Sequence, residues 1–398
     1  MLKNRKILLG ITGGIACYKS AELVRLLVKN QAIVHVVMTE HARQFVSPLT
    51  FQTLSENPVL TDMFDYHNGA EIKHISIPQE SDITVIAPAT ANILGKMANG
   101  IADDLLSTMV LATKAPILLV PSMNLFMWEN RIVQKNIQKL KESGYRLMEP
   151  EEGFLACGYE GKGRMPEPAD ILNEIISILK KKDLKNKKVL LSAGPTREFF
   201  DPIRFISNPS TGKMGFSLAR EAIWRGADVI LVSGPTTLTP PVGCRFIQVE
   251  SANEMHKKIT DEAKNASIII MSAAVSDYMP EKSSREKEKK GAEKISLNLV
   301  KTRDILAELG RNKGRKILVG FAAETNNPEE NAKKKLHKKN LDMIVLNKVN
   351  EAGSGFGSET NKVTLLFRNG KILRFDTMAK SEVAKTIFDA IADANLRK

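Results

Sequence analysis

The chain has 398 residues, 43% of them hydrophobic, and a formal net charge of +13 at pH 7. That length exceeds what one hydrophobic core usually supports, so two domains are expected, and the regular apolar runs argue for a chain folded throughout. The lack of any stretch of 18 apolar residues, a start that passes straight into a strand pattern, and three widely spaced cysteines argue against a membrane span, a signal peptide, a disulfide framework and a zinc site; they predict a cytoplasmic protein.

Short apolar runs at 5–9, 33–38, 83–87 and 117–120 read as strands, with helical patterns such as 18–29 and 129–142 between them. The polar run 180–188 marks a boundary, giving domains 1–182 and 183–398. A second strand series begins at 188–191 and continues through 228–232, 267–271, 316–321 and 342–346. Alternation of this kind predicts an α/β fold of two doubly wound, mainly parallel-sheet domains. The second domain ends differently. KVTLLF, RNG and KILRF predict a β-hairpin, and 378–395 a closing amphipathic helix. The polar stretch 281–293 is expected to be mobile without ligand.

Charge is uneven: residues 1–182 hold 20 Lys and Arg against 19 Asp and Glu, whereas 183–398 hold 38 against 26 and so carry +12 of the +13. Such an excess attracts nucleic acid, an anionic membrane or small phosphorylated substrates. The cations crowd into 282–316 and 333–339 without interleaved aromatics, which favours small phosphates.

After the first strand, Gly10-Ile11-Thr12-Gly13-Gly14 leads into a helix, aiming backbone N–H groups and a positive helix end at one spot where a phosphate can sit. The order is not G-x-G-x-x-G. Thr39, after the second strand, suits a phosphate better than a ribose diol, so a mononucleotide such as FMN fits better than NAD. Residues 87–106 add a second loop, with Thr90, Asn92 and Gly95 available to the polar edge of a ring. The run GFLACGYEGKGRM (153–165) puts Cys157 among four glycines, the composition of a flap that folds over a ligand and opens again.

With His74 before the third strand, PSMNLFMW at 121–128 and this flap, residues 7–170 resemble the flavin-dependent phosphopantothenoylcysteine decarboxylases of coenzyme A synthesis. The resemblance implies FMN held by Thr12, Gly13, Gly14, Thr39, Ala89 and Thr90. It also implies an oxidative route, in which oxidation of CH₂–SH to a thioaldehyde supplies the electron sink for loss of CO₂. Cys157 then donates the proton for the closing reduction, His74 orients the substrate or assists thiol oxidation, and Asn124 binds the substrate carboxylate. Two bland readings stand beside these: His74 as a structural residue, and Asn124 as a turn former.

In the second domain, Ser210-Thr211-Gly212-Lys213-Met214-Gly215 lacks the G-x-x-x-x-G-K-[ST] order of a P-loop, which disfavours an ATPase. DPIRFISNPSTGKMG (201–215), AAVSDY (273–278) and GFAAET (320–325) resemble phosphopantothenate–cysteine ligase. That resemblance implies activation of 4′-phosphopantothenate by CTP as an acyl-cytidylate, attack by cysteine, and a requirement for Mg²⁺. It places Lys287 over the reacting phosphate in a loop with Lys289 and Lys290, and Asn208 on the acyl-cytidylate. Lys335 and Lys339 meet the nucleotide's phosphates, Phe321 its base, Asp277 its ribose or base, and Arg204 the pantothenate's phosphate; Ser272, Ala273 and Lys301 complete the substrate and CTP site. Asp201 reads equally as an Asx-turn residue before Pro202.

A bifunctional enzyme acting on small molecules, with no nucleic acid or membrane partner, is thus expected. Homo-oligomeric assembly, through trimeric decarboxylase and dimeric ligase contacts, follows from the resemblance. The metal ligands stay open. Three alternatives are a non-catalytic flavin-binding regulatory relative, an NAD(P)-linked reductase and a nucleic-acid binder.

Overall fold

The structure, a computed structural model, describes residues 1–63, 73–154, 158–287, 296–324, 327–347, 355 and 357–393. It divides into two compact units, Met1–Lys180 and Lys181–Lys398.

In the first unit, β1 (Lys6–Ile11), β2 (Ile33–Met38), β3 (Ile83–Ala89), β4 (Ile117–Pro121) and β5 (Arg146–Leu147) form one parallel sheet in the order β2-β1-β3-β4-β5. β3 and β4 are buried along their whole length, as the continuous apolar runs of a sheet covered on both faces require. The order reverses between β1 and β3, so the crossovers leave on opposite faces and open a crevice at the carboxyl ends of these two strands. On one face Leu8, Val37, Ile86 and Leu119 pack with Leu94, Leu106 and Met109 of two crossover helices. Gly10 is needed there: a Cβ would lie 2.5 Å from Leu106 Cδ1 and 2.7 Å from Ile86 Cδ1. The flap proves to have regular flanks, β6 (Glu151–Phe154) and β7 (Glu160–Arg164), paired antiparallel. The polar, glycine-rich sequence hides this pairing because the backbone, not an apolar face, defines it.

The second unit is built on an eight-stranded sheet. β8 (Lys188–Ala193) is followed by a small hairpin, β9 (Arg197–Phe199) and β10 (Phe205–Ser207), and then by β11 (Asp228–Ser233), β12 (Cys244–Gln248) and β13 (Ile268–Met271). A second ribbon, β14 (Tyr278–Pro280) and β15 (Leu299–Lys301), precedes β16 (Ile317–Ala323) and β17 (Met343–Asn347). The chain continues through β18 (Thr360–Asn361), β19 (Val363–Phe367), β20 (Ile372–Arg374) and β21 (Met378–Ala379). The sheet order is β12-β11-β8-β13-β16-β17-β19-β20, parallel through β17 and antiparallel beyond. The α/β class, both parallel sheets and the terminal hairpin agree with expectation, and the closing helix spans Lys380–Ala392. Strand β12 and the two ribbons were not foreseen. The helix Lys213–Trp224 starts behind Gly212 at φ +80°, a conformation that favours glycine.

Arg225, 5% exposed, ties the helix Lys213–Trp224 to both ends of this unit: Nε donates to Asp183 Oδ1 at 2.8 Å and Nη1 to Asp389 Oδ1 at 2.8 Å. This hydrogen bond and the guanidinium charge hold the Asp183 carboxyl below the usual carboxylate range. Arg225→Ala leaves buried Glu221 and half-buried Asp183 without their cation and should lower the unfolding free energy of this unit by about 3 kcal/mol in denaturant titration. Because the Asp183 value is depressed on folding, its contribution is present above the unfolded value and is lost as pH falls through the folded one. The deficit of the variant should therefore shrink in acid.

Candidate functional sites

At the β1/β3 switch point lies a cavity of about 760 Å³, within the range of small-molecule sites. Its wall includes Thr12, Gly13, Gly14, Thr39, Thr90 and Asn124, so five of the six expected flavin residues and the expected carboxylate binder share one space. The Thr12 hydroxyl, 2% exposed, donates to Pro88 O at 2.7 Å and accepts from Thr90 N at 3.1 Å, fastening the loop after β1 to the loop after β3. Gly13 lies so close to the next turn that a Cβ would sit 2.4 Å from His41 Cβ. Ala89, the sixth residue, is fully buried in β3, and its carbonyl accepts from Ser122 N at 3.2 Å, bracing the β4 loop. The helix Cys17–Lys29 has no side-chain cap and no acidic residue in its first turn, unlike the helices capped by Ser47, Asp104 or Asn130. Its terminal N–H groups thus suit an anionic group.

Asn124 caps the helix Leu125–Glu129, its Oδ1 accepting from Phe126 N at 2.8 Å. The turn-forming reading is therefore true, and it directs the donor end of the amide away from the capped turn. β7 is laid against this loop: Met123 N donates to Gly163 O at 3.0 Å, and a Cβ on Gly161 would meet Leu125 Cδ2 at 2.9 Å. Phe154, Gly163 and Arg164, from both flap strands, line the cavity. Cys157 itself lies outside the described residues. His74, on the helix Lys73–Glu80, is half-buried and is not part of this wall.

Two wall residues escaped the sequence reading. Lys19 is buried and donates to Met165 O at 3.0 Å and Glu167 Oε1 at 2.8 Å, anchoring the chain just beyond the flap. Lys96 pairs with Asp103 at 2.7 Å and Asp104 at 2.8 Å. For Lys96 the signal available was a lysine inside the largely apolar helix Ala91–Asn99; Lys19, in a helix that also carries Glu22, Arg25 and Lys29, offered none. The other two thiols are held: Cys17 Sγ donates to Thr12 O at 3.0 Å and Cys244 Sγ to Pro241 O at 3.0 Å, and burial raises both above the ordinary thiol value. Neither resembles an activated nucleophile.

In the second unit the loops after β8 and β13 are laced together. Ala274 N donates to Gly194 O at 2.9 Å, Ser272 Oγ to Ser192 O at 2.6 Å, and Ala273 N to Ser192 Oγ at 3.1 Å. Asn208 Nδ2 reaches Ala274 O at 3.1 Å and Val275 O at 3.2 Å, joining the β10 loop to them. Asp277 is exposed, its carbonyl accepting from Thr302 N at 3.0 Å beside Lys301. Since Met271 pairs with Gly320, Phe321 continues that register level with Ser272. Asn208, Ser272, Ala273, Asp277, Lys301 and Phe321 thus come to one carboxyl edge.

The cations are less gathered. Arg204 binds fully buried Asp201, Nε to Oδ2 at 2.8 Å, while Asp201 Oδ1 accepts from Ile203 N at 2.9 Å and Arg204 N at 2.7 Å. Asp201 is thus an Asx-turn residue, and a phosphate at Arg204 would share the guanidinium. Lys335 pairs with Glu324, and Lys339, at the end of the helix Pro328–Lys338, reaches Asp304 at 3.0 Å. Lys287 is exposed; Lys289 and Lys290 lie outside the described residues. The stretch expected to be mobile is tied where described, Ser284 N donating to Phe200 O at 2.9 Å and Glu281 N to Asn298 O at 2.9 Å. Among the described residues no group of three or more His, Cys, Asp or Glu could hold a metal ion, and no helix is long and apolar enough to cross a membrane.

Residues 1–180 match the Flavoprotein family model, and residues 184–394 match that of the DNA/pantothenate metabolism flavoprotein C-terminal domain. Along 396 residues the chain is 47% identical to the coenzyme A biosynthesis bifunctional protein CoaBC of Bacillus subtilis, covering 98% of each. The chain belongs to this bifunctional family. The protein of the same name from Vibrio cholerae is 45% identical over 373 residues, 93% of this chain and 94% of that one. A protein from an unknown prokaryotic organism, named cysteine/cysteine sulfinic acid decarboxylase, is 45% identical over 353 residues, 87% of this chain and 98% of that one. The expected joining of a flavoprotein decarboxylase to a ligase for coenzyme A biosynthesis is that of the family.

Gly13→Ala has no room for its methyl beside His41. FMN retained after gel filtration, measured by flavin absorbance, should fall at least about tenfold, while denaturant unfolding of the second unit stays unchanged.

Proposed function

We propose that residues 183–398 join cysteine to 4′-phosphopantothenate at the expense of CTP, and that residues 1–182 then decarboxylate the product to 4′-phosphopantetheine with FMN. The observation that carries this reading is the switch-point cavity, where Thr12–Gly14, Thr39 and Thr90 meet Asn124 and both flap strands.

FMN fits this cavity by its volume, by the uncapped helix end and by the close backbone approach at Gly13. When bound it supplies a two-electron oxidant next to the substrate thiol and, once reduced, returns the electrons after CO₂ has left. The residues supply the rest. Amide groups of Gly13 and Gly14 with the Thr39 hydroxyl hold a phosphate, and the Thr90 loop borders the ring. Asn124, its Oδ1 fixed by the cap, offers N–H donors to the substrate carboxylate until it departs. The flap closes over the cavity and Cys157 donates a proton to carbon, while His74 orients the substrate or assists thiol oxidation.

In the ligase half, a carboxylate needs a leaving group before an amine can displace it, and transfer onto an α-phosphate gathers negative charge. Lys287, Lys335 and Lys339 answer that charge. Mg²⁺, which this reading requires, would supply further positive charge to the triphosphate. Asn208 holds the acyl-cytidylate, with Ser272, Ala273, Asp277, Lys301 and Phe321 around the nucleotide and Arg204 towards the pantothenate phosphate. The protein works in the cytoplasm as a homo-oligomer, with trimeric decarboxylase and dimeric ligase contacts.

One coupled assay separates the halves: phosphopantothenate, cysteine, CTP and Mg²⁺, with mass-spectrometric detection of CMP and of CO₂ loss. Cys157→Ser should leave CMP formation intact and reduce 4′-phosphopantetheine release by at least about a hundredfold, the scale of a lost general acid. Unaltered decarboxylation would assign the proton to another group. Lys287→Gln should slow CMP formation by a similar factor, and full activity would move that role to another lysine.

A further inference from the structure

The loop 272–277 carries the chain from β13 to β14, and its last two residues differ: Ser276 is buried, at 5% exposure, and Asp277 is exposed. Two threonines from separate segments hold the main chain of Ser276 at both its polar groups. Thr196, fully buried in the loop after β8, accepts from Ser276 N through its hydroxyl at 3.0 Å. Thr302, the residue after β15, donates its hydroxyl to Ser276 O at 2.7 Å and its amide to Asp277 O at 3.0 Å. Thr196 is fastened in turn, its carbonyl accepting from Ser207 Oγ at 2.7 Å and its amide donating to Ala274 O at 3.4 Å.

These bonds have an ordinary use, since a buried amide and carbonyl must be paired. Their result is an exposed carboxylate on a fixed main chain. Among the described residues no hydrogen bond or ion pair engages the Asp277 side chain. Arg204, Lys335 and Lys339, by contrast, each hold a carboxylate. Asp277 can thus accept a hydrogen bond from a ligand without first releasing a partner, and with its Cα already placed it gives up only side-chain rotation.

We propose that Thr196 and Thr302 are positioning residues for nucleotide binding by the ligase half: they fix the Ser276–Asp277 main chain so that the Asp277 carboxylate meets a donor on the ribose or base of CTP. The inference rests on the reading that places CTP beside Asp277. Loss of either hydroxyl leaves a main-chain group of Ser276 without its partner, and the turn shifts to find another, carrying the carboxylate out of reach of the donor.

The test follows CMP formation by the FMN-loaded full chain as CTP is varied, with phosphopantothenate and cysteine saturating. Asp277→Ala should raise KM for CTP at least about tenfold, the scale of a lost hydrogen bond to a charged group. Thr196→Val, which keeps the shape of the side chain, should raise it at least about fivefold with kcat within about twofold, and Thr196→Ser should restore the wild-type value. The deciding readout is the double variant Thr196→Val/Asp277→Ala: with the carboxylate gone there is nothing left to position, so the valine should raise KM by less than about twofold further. A merely structural threonine gives the same factor in both backgrounds. That result, or an unchanged KM in Thr196→Val, would overturn the proposal while leaving CTP beside Asp277. An unchanged KM in Asp277→Ala would overturn that placing, and the inference with it. Should Thr196→Val fail to fold, Thr302→Val, at a half-buried position, takes its place in the same cycle with the same expected outcomes.

Discussion

The first unit depends on one buried hydroxyl. Thr12 Oγ1 is bonded on one side to the carbonyl of Pro88 and on the other to the amide of Thr90, joining the ends of two strands that a parallel sheet merely sets side by side. Strand order opens the crevice, but strand order leaves its two rims as independent loops. With the rims tied, the Gly13–Gly14 amides and the Thr90 turn have a fixed separation, and a flavin can meet both without reorganising either. The second unit reaches the same end by the Ser192 and Asn208 hydrogen bonds, which gather the loops after β8, β10 and β13 at one edge.

Much of this was legible in the residues. Continuous apolar runs such as Ile83–Ala87 and Ile117–Val120 mark strands buried on both faces, and all nine such runs named from the sequence are strands of the two sheets. The flap strands escaped because their pairing uses polar and glycine residues, as in Gly153 opposite Gly161, and the ribbons β9/β10 and β14/β15 because each strand is only three residues long. At the flavin cavity, motifs located the residues but not their use. Thr12 was expected among the residues that hold FMN, yet its hydroxyl is engaged by the backbone at Pro88 and Thr90. Lys19 was missed because its partner Glu167 is distant in sequence, and Lys96 because its pairing with Asp103 and Asp104 depends on the turn that follows its helix.

At the carboxyl edge of the second unit Lys335 and Arg204 already hold Glu324 and Asp201, so under the proposed reading an incoming triphosphate would compete for the first and a pantothenate phosphate for the second. Exchange of this kind makes nucleotide affinity sensitive to salt, since the protein's own ion pairs and the ligand draw on the same charges.

The measurement that bears most directly on the central claim is FMN affinity of Thr12→Val, a change that keeps shape and removes both bonds of the hydroxyl. The account predicts that Kd for FMN rises at least about tenfold, because Pro88 O and Thr90 N lose their buried partner and the rims part. An unchanged Kd, with the variant folded and its second unit active, would contradict it.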